Sequence, residues 1–108
     1  MTEIASTPTP PYYTVIFTSI RKEGDYGYSE MAQKMEELAK KQPGYLGFEA
    51  ARDGLGIAIS YWQDLDSIKQ WKDNLEHSEA QRNGREKWYS AYTVRIGKVE
   101  KQYSFESN

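Results

Sequence analysis

Residues Tyr12 to Ile20 carry two alternating apolar sets, with Tyr13, Val15 and Phe17 on one side and Tyr12, Ile16 and Ile20 on the other. Side chains along a strand point alternately to its two faces, so a segment apolar on both predicts a central strand covered twice. The period then changes. From about Tyr28 to Lys41, the residues Met31, Ala32, Met35, Leu38 and Ala39 fall on one stripe of a helix, with Asp25 or Ser29 as its cap. Lys40 and Lys41 suit the C-terminal dipole. Gln42-Pro43-Gly44 then stops the helix, because proline cannot continue it and glycine takes the turn.

Alternation resumes over Tyr45 to Arg52 and again over Leu55 to Trp62, with Asp53-Gly54 between them as a hairpin signal. In the second of these strands Leu55, Ile57, Ile59 and Tyr61 share a face. Gly56, Ala58, Ser60 and Trp62 share the other, where small residues leave room for a close neighbour. Asp64 is placed to cap a second helix, on which Leu65, Ile68, Trp71, Lys72 and Leu75 recur at helical spacing. Residues 76–90 are predicted helical too, with a break near Asn83-Gly84. Tyr92 to Phe105 reads as a last strand whose alternation slips phase at Gly97-Lys98, which predicts a bulge or a bend there. Residues 1–11, with prolines at 8, 10 and 11 and no apolar period, are expected to form an extended, disordered arm before a domain spanning 12–108.

The order βαββαβ predicts an α+β, ferredoxin-like fold: a four-stranded antiparallel sheet with its helices on one face. The other face would be an apolar patch too large for a monomer, so a homodimer through that sheet face is expected.

Composition narrows the chemistry. The chain has 108 residues, enough for one domain, a net charge of −2 and no cysteine. That balance argues against a nucleic-acid partner, and the missing thiols exclude disulfides, a thiolate nucleophile and a thiolate metal site. One histidine and scattered carboxylates make no metal cluster. Gly54-Leu55-Gly56 lies in a hairpin and not before a helix, so it is no nucleotide loop. With no apolar run of membrane-spanning length and no signal-like start, no membrane partner and a cytoplasmic location are expected.

Nine tyrosines and three tryptophans are the unusual feature, since such rings join an apolar body to a polar handle and gather in pockets. His77 is the one side chain whose ordinary pKa lies near neutrality, which suits a general base toward a phenol or enol; a solvent-facing histidine at a helix junction is the alternative. Trp71 is either core or the wall of a flat aromatic site, and Tyr61 and Trp62 point to opposite faces of their strand. Trp88 lies in a second concentration of rings and charges, Gly84 to Tyr89. Arg85 or Arg95 would hold a carboxylate or enolate oxygen, or else form surface ion pairs.

Gln42-Pro43-Gly44-Tyr45-Leu46-Gly47, Ser60-Tyr61-Trp62, Trp71-Lys72 and Glu76-His77 resemble the antibiotic biosynthesis monooxygenase (ABM) family over roughly residues 12–105. The resemblance implies a dimeric α+β barrel. It also implies a cofactor-independent monooxygenase acting on a small aromatic or enolic substrate, with His77 as base, Arg95 as anion holder, and Trp71, Tyr61, Trp88 and Arg85 around the substrate. Two further readings stand beside it: a non-catalytic dimer that binds a small hydrophobic ligand, and a haem-binding or haem-degrading relative. The haem-degrading branch of the superfamily uses an asparagine on the first strand, a tryptophan on the second helix and a histidine further on. Trp71 matches, but Phe17 and Thr18 occupy the first-strand position and the histidine position falls near Gln81. No cofactor is therefore expected.

Overall fold

In a computed structural model of the chain, which describes residues 3–76 and 82–107, the strands are β1 (Tyr12–Arg21), β2 (Tyr45–Asp53), β3 (Leu55–Trp62) and β4 (Tyr89–Val99). Helix α1 (Tyr28–Lys40) joins β1 to β2, helix α2 (Leu65–Glu76) follows β3, and a π-helical turn at Gly84–Trp88 leads into β4. The strands pair antiparallel in the order β2-β3-β1-β4, which is the expected ferredoxin-like α+β arrangement. His77 and Gln81 lie outside the described residues, as does the stretch 77–81 of the predicted extra helix.

The register assigns the two faces. Val15, Phe17 and Ser19 of β1 stand beside Ser60, Ala58 and Gly56 of β3 and share their side of the sheet. This is the side the helices cover: Trp62 stacks on Trp71 of α2, and Tyr89 touches both Phe17 and Tyr28 of α1. Trp62 is fully buried, with Tyr45 5.7 Å and Trp71 6.1 Å away between ring centres, and its Nε1 donates to Ser60 Oγ at 2.8 Å. Ile68 and Ala39 are buried beside this cluster's helices, whereas Leu65 at the start of the α2 stripe is exposed. On the opposite face Tyr12, Thr14, Ile16, Thr18 and Ile20 lie next to Leu55, Ile57, Ile59 and Tyr61.

The predicted turn chemistry is seen in detail. Gly44 has φ 82° and its carbonyl accepts Gln63 N–H at 2.7 Å, which locks the end of α1's connection to the end of β3. Asp64 Oδ1 accepts Ser67 N–H at 2.8 Å as the expected cap, and these Ser67 hydrogen bonds hold its carboxyl below the usual carboxylate range. At α1 the N-cap is Gly27 in the left-handed region, not Asp25 or Ser29, and Asp25 Oδ1 accepts Ser29 N–H at 3.1 Å and Ser29 Oγ–H at 2.6 Å from just before the helix.

Two further expectations are corrected. The last strand starts at Tyr89 and stops at Val99, short of Phe105. Its irregularity lies not at Gly97-Lys98 but at Ser90, where the register steps from Ile20↔Ala91 to Arg21↔Tyr89. The phase change after Gly97 marks the end of pairing: Val99 faces Tyr12, the first residue of β1, and Pro11 before it has no N–H to extend the ladder. The arm, in turn, is extended but tied down. Ala5 N–H donates to Glu49 Oε2 at 2.8 Å, Thr7 Oγ1 and Tyr12 OH are 2.8 Å apart, and Gln102 Nε2 donates to Pro8 O at 3.0 Å. Polar side chains remote in sequence hold it, which an arm without apolar period does not reveal. Among the described residues, no helix is long and apolar enough to cross a membrane.

Candidate functional site

A cavity of about 220 Å³ opens on the helix-facing side of the sheet, at the end where β1 and β2 stop and β3 and β4 begin. Phe17, Ser19, Tyr28, Arg52, Gly56 and Tyr89 line it. Arg52, near the end of edge strand β2, turns its guanidinium across the sheet over β3 to reach β1. There Nη1 donates to Ser19 O at 3.2 Å and Nη2 to Ser19 Oγ at 2.5 Å. Gly56 makes this path available: a Cβ on it would sit 2.1 Å from Arg52 Cζ. Ser19 itself is only 2% exposed, so the polar centre of the site is a buried hydroxyl capped by a charged fork.

Rings form the rest of the wall. Phe17 meets Tyr89 at 5.2 Å and Tyr92 at 5.1 Å, and Tyr28 meets Tyr89 at 5.8 Å and Trp88 at 5.9 Å. Most of these contacts are edge-on, the geometry favoured by ring quadrupoles. Arg21 Cζ lies 3.5 Å from the Tyr28 ring centre, while its Nε donates to Trp88 O at 2.9 Å and its Nη2 to Gly24 O at 3.0 Å. One guanidinium therefore backs Tyr28 and a second enters the cavity, and no lining residue is acidic. Burial, reinforced by the hydrogen bond with Tyr28, pushes the Tyr89 phenol up; Arg52 and Arg21 pull against this without reversing it. Tyr89 stays a neutral hydrogen-bonding phenol. Such a cavity can seat a flat apolar molecule and stabilise a negative oxygen at one edge of it.

The residues singled out from the sequence are distributed over the molecule. Trp88 is buried behind Tyr28, with Nε1 donating to Tyr26 O at 3.1 Å, so it supports the cavity wall. Arg85 Nε donates to Tyr92 OH at 2.9 Å at the outer side of the same ring cluster. Trp71 is stacked on Trp62 and is not among the lining residues. Tyr61 lies on the open face, where its OH donates to Glu49 Oε1 at 2.6 Å; burial first, and then Glu49, pushes that phenol up. Arg95 pairs with Ile16 on the same open face and is exposed. His77 is outside the described residues. The sequence pattern marked Tyr89 only as the end of the ring-rich stretch Gly84 to Tyr89, and did not mark Arg52, Ser19 or Tyr28. One signal pointed at them, the run of small residues on β3: Gly56 is where the close neighbour lies, and that neighbour is Arg52.

Haem does not fit the lining described. The lining holds no histidine, cysteine or methionine to ligate the iron.

The fold and site define a ferredoxin-like α+β domain with an aromatic, cation-bearing cavity between sheet and α1. Residues 11–83 match the family described as antibiotic biosynthesis monooxygenase, and the chain belongs to that family. It is 48% identical over 107 residues to the uncharacterized protein YqjZ of Bacillus subtilis (strain 168), covering 97% of this chain and 94% of that one. It is 33% identical over 49 residues to the jasmonate monooxygenase ABM of Pyricularia oryzae, covering 45% of this chain and 23% of that protein. The structure of SnoaB, a cofactor-independent oxygenase from Streptomyces nogalater, superposes with a TM-score of 0.63 at 14% identity, over 91% of this chain and 100% of that one. The likeness to SnoaB is one of fold.

Proposed function

We propose that the protein is a cofactor-independent monooxygenase of the ABM type, acting on a small aromatic or enolic molecule in the cavity beside Tyr28 and Tyr89. The observation that carries this reading is the cavity itself: ringed by aromatic side chains, free of carboxylates in its lining and entered by a guanidinium. The activities named for SnoaB and for the Pyricularia oryzae enzyme support the same class.

The chemistry suits a substrate with an activated methylene. A base removes one proton, and the resulting enolate transfers electron density to O2 and forms a carbon–oxygen bond. Loss of water then leaves a carbonyl. One atom of O2 becomes the carbonyl oxygen and the other leaves as water with the two methylene hydrogens, so no external reductant is needed. His77 is the base in this scheme. A guanidinium and neutral phenols, placed where charge develops on the enolate oxygen, lower the barrier to its formation.

Oxygen-electrode measurements with an anthrone should show one O2 consumed per substrate. His77→Ala should slow the reaction by roughly 10²–10⁴-fold, the usual contribution of a positioned base. Uptake at the wild-type rate in that variant removes His77 from the mechanism. Absence of uptake in the wild type, with anthrones and other enolisable aromatics alike, leaves a ligand-binding protein instead.

The reading includes a homodimer through the open sheet face. Ile20, Leu55 and Ile57 are neighbours there and are 49%, 52% and 41% exposed. A second copy's sheet would bury them. Sedimentation equilibrium should give a dimer at tens of micromolar, and Ile57→Lys should give a folded monomer; a wild-type monomer at that concentration removes the dimer.

A further inference from the structure

We infer that Arg52 and Ser19 form an anion-binding fork in the cavity, and that its ligand is a planar aromatic molecule bearing a carboxylate or comparable oxyanion. The inference deepens the proposed function by naming the class of molecule that fits, and it rests on that reading only in calling the molecule a substrate.

Arginine has five N–H hydrogens in a rigid plane. Here Nη1 uses its two on Ser19 O at 3.2 Å and Gly54 O at 3.4 Å, and Nη2 uses one on Ser19 Oγ at 2.5 Å. Both contacts to Ser19 leave from the end of the fork. The lateral edge, Nε–H with the second Nη2–H, has no acceptor among the described residues. Two parallel hydrogens on one edge match the two oxygens of a carboxylate. Ser19 Oγ accepts from Arg52 and still has its own proton to give, so a third donor sits beside the fork.

Arg52 is exposed, but the direction of its guanidinium is set by its partners. Ser19 is almost fully buried, and its grip fixes the guanidinium over Gly56 instead of letting it extend into solvent from an edge strand. The adjoining surface consists of Phe17, Tyr28 and Tyr89, which favours a flat apolar body continuous with the charged edge. No carboxylate in the lining competes for the fork.

The alternative is that Arg52 merely staples the end of β2 to β1. Affinity for a charged probe and its neutral counterpart separates the two roles. Titration calorimetry with 2-naphthoate and 2-naphthamide on the full chain should show the carboxylate binding at least about tenfold more tightly. Arg52→Gln should weaken 2-naphthoate by roughly 10- to 100-fold, the range for hydrogen bonds to charged groups, and leave 2-naphthamide unchanged. Gly56→Ala retains Arg52 but places a methyl where the guanidinium lies, and should produce the same selective loss; thermal unfolding of both variants checks that they are folded. A wild-type chain that binds the two probes equally, or binds neither, overturns the inference. So does an Arg52→Gln chain that keeps its preference for 2-naphthoate. Charge-selective binding without oxygen consumption would sink the monooxygenase reading and leave the anion fork, whereas turnover of anthrones with no charge selectivity would do the reverse.

Discussion

Trp62→Ala is expected to lower the unfolding free energy by about 3–5 kcal/mol, the range for deleting a large aromatic side chain from a core. Trp62 has no exposed surface, and its ring joins the sheet to α2 through Trp71 and to the start of β2 through Tyr45. Truncation removes these contacts together and leaves Ser60 Oγ without its indole donor. A 108-residue domain has only about 5–15 kcal/mol in hand, so the variant should approach the limit of foldability. The urea midpoint measures it, and a loss below about 1 kcal/mol would mean that α2 repacks freely on the sheet. Its position at the opposite end of β3 from Gly56 also makes a distinction. The ring-rich segment that signals the family is chiefly a packing device, and the cavity with Arg52 lies at the other end of the strand.

Gly44→Ala should cost about 2–4 kcal/mol, from two separate causes. The backbone at Gly44 has φ 82°, where an L side chain adds roughly 1–2 kcal/mol of strain. The methyl would then stand 2.0 Å from Ser67 Oγ and 2.6 Å from Ser67 Cβ. Ser67 is buried in the first turn of α2, so the helix has to move. That movement would pull Gln63 N–H away from Gly44 O and disturb the Asp64 cap. Adding Ser67→Gly should recover the steric part and leave the φ cost, giving a clear coupling energy in a double-mutant cycle. Strictly additive effects in that cycle would show that the close approach contributes nothing.

Much of this architecture was legible in the chain because it depends on short-range patterns. The apolar alternation on both faces of β1, the stripe Met31–Met35–Leu38 and the stop at Pro43-Gly44 are all set by neighbours a few residues apart. So is the Asp64 cap. The length of β4 was not legible, because Tyr92 to Phe105 has β-forming residues throughout and only the absence of a partner beyond Tyr12 ends it. The contacts of the arm were not legible for a related reason: they are with Glu49 and Gln102, and polar contacts between distant segments leave no local period.

The candidate site divides in the same way. Ring-rich segments and the small face of β3 indicate that a pocket exists, and the Pro-Gly and aromatic-Trp markers indicate the family. Which residues meet in that pocket is decided by register. Arg52 reaches Ser19, 33 positions away, only because β3 lies between their strands and presents Gly56 at the crossing point. Shifting the β2–β3 pairing by one residue would send Arg52 to the opposite face, and shifting β1 on β3 would do the same to Ser19. The sequence by itself determined the elements, their order and the faces they bury, since those follow from periodicity and turn chemistry. The tertiary structure decided that the cation in the cavity is Arg52 and that Arg95 faces away, because contact across strands depends on pairing that no local stretch of chain encodes.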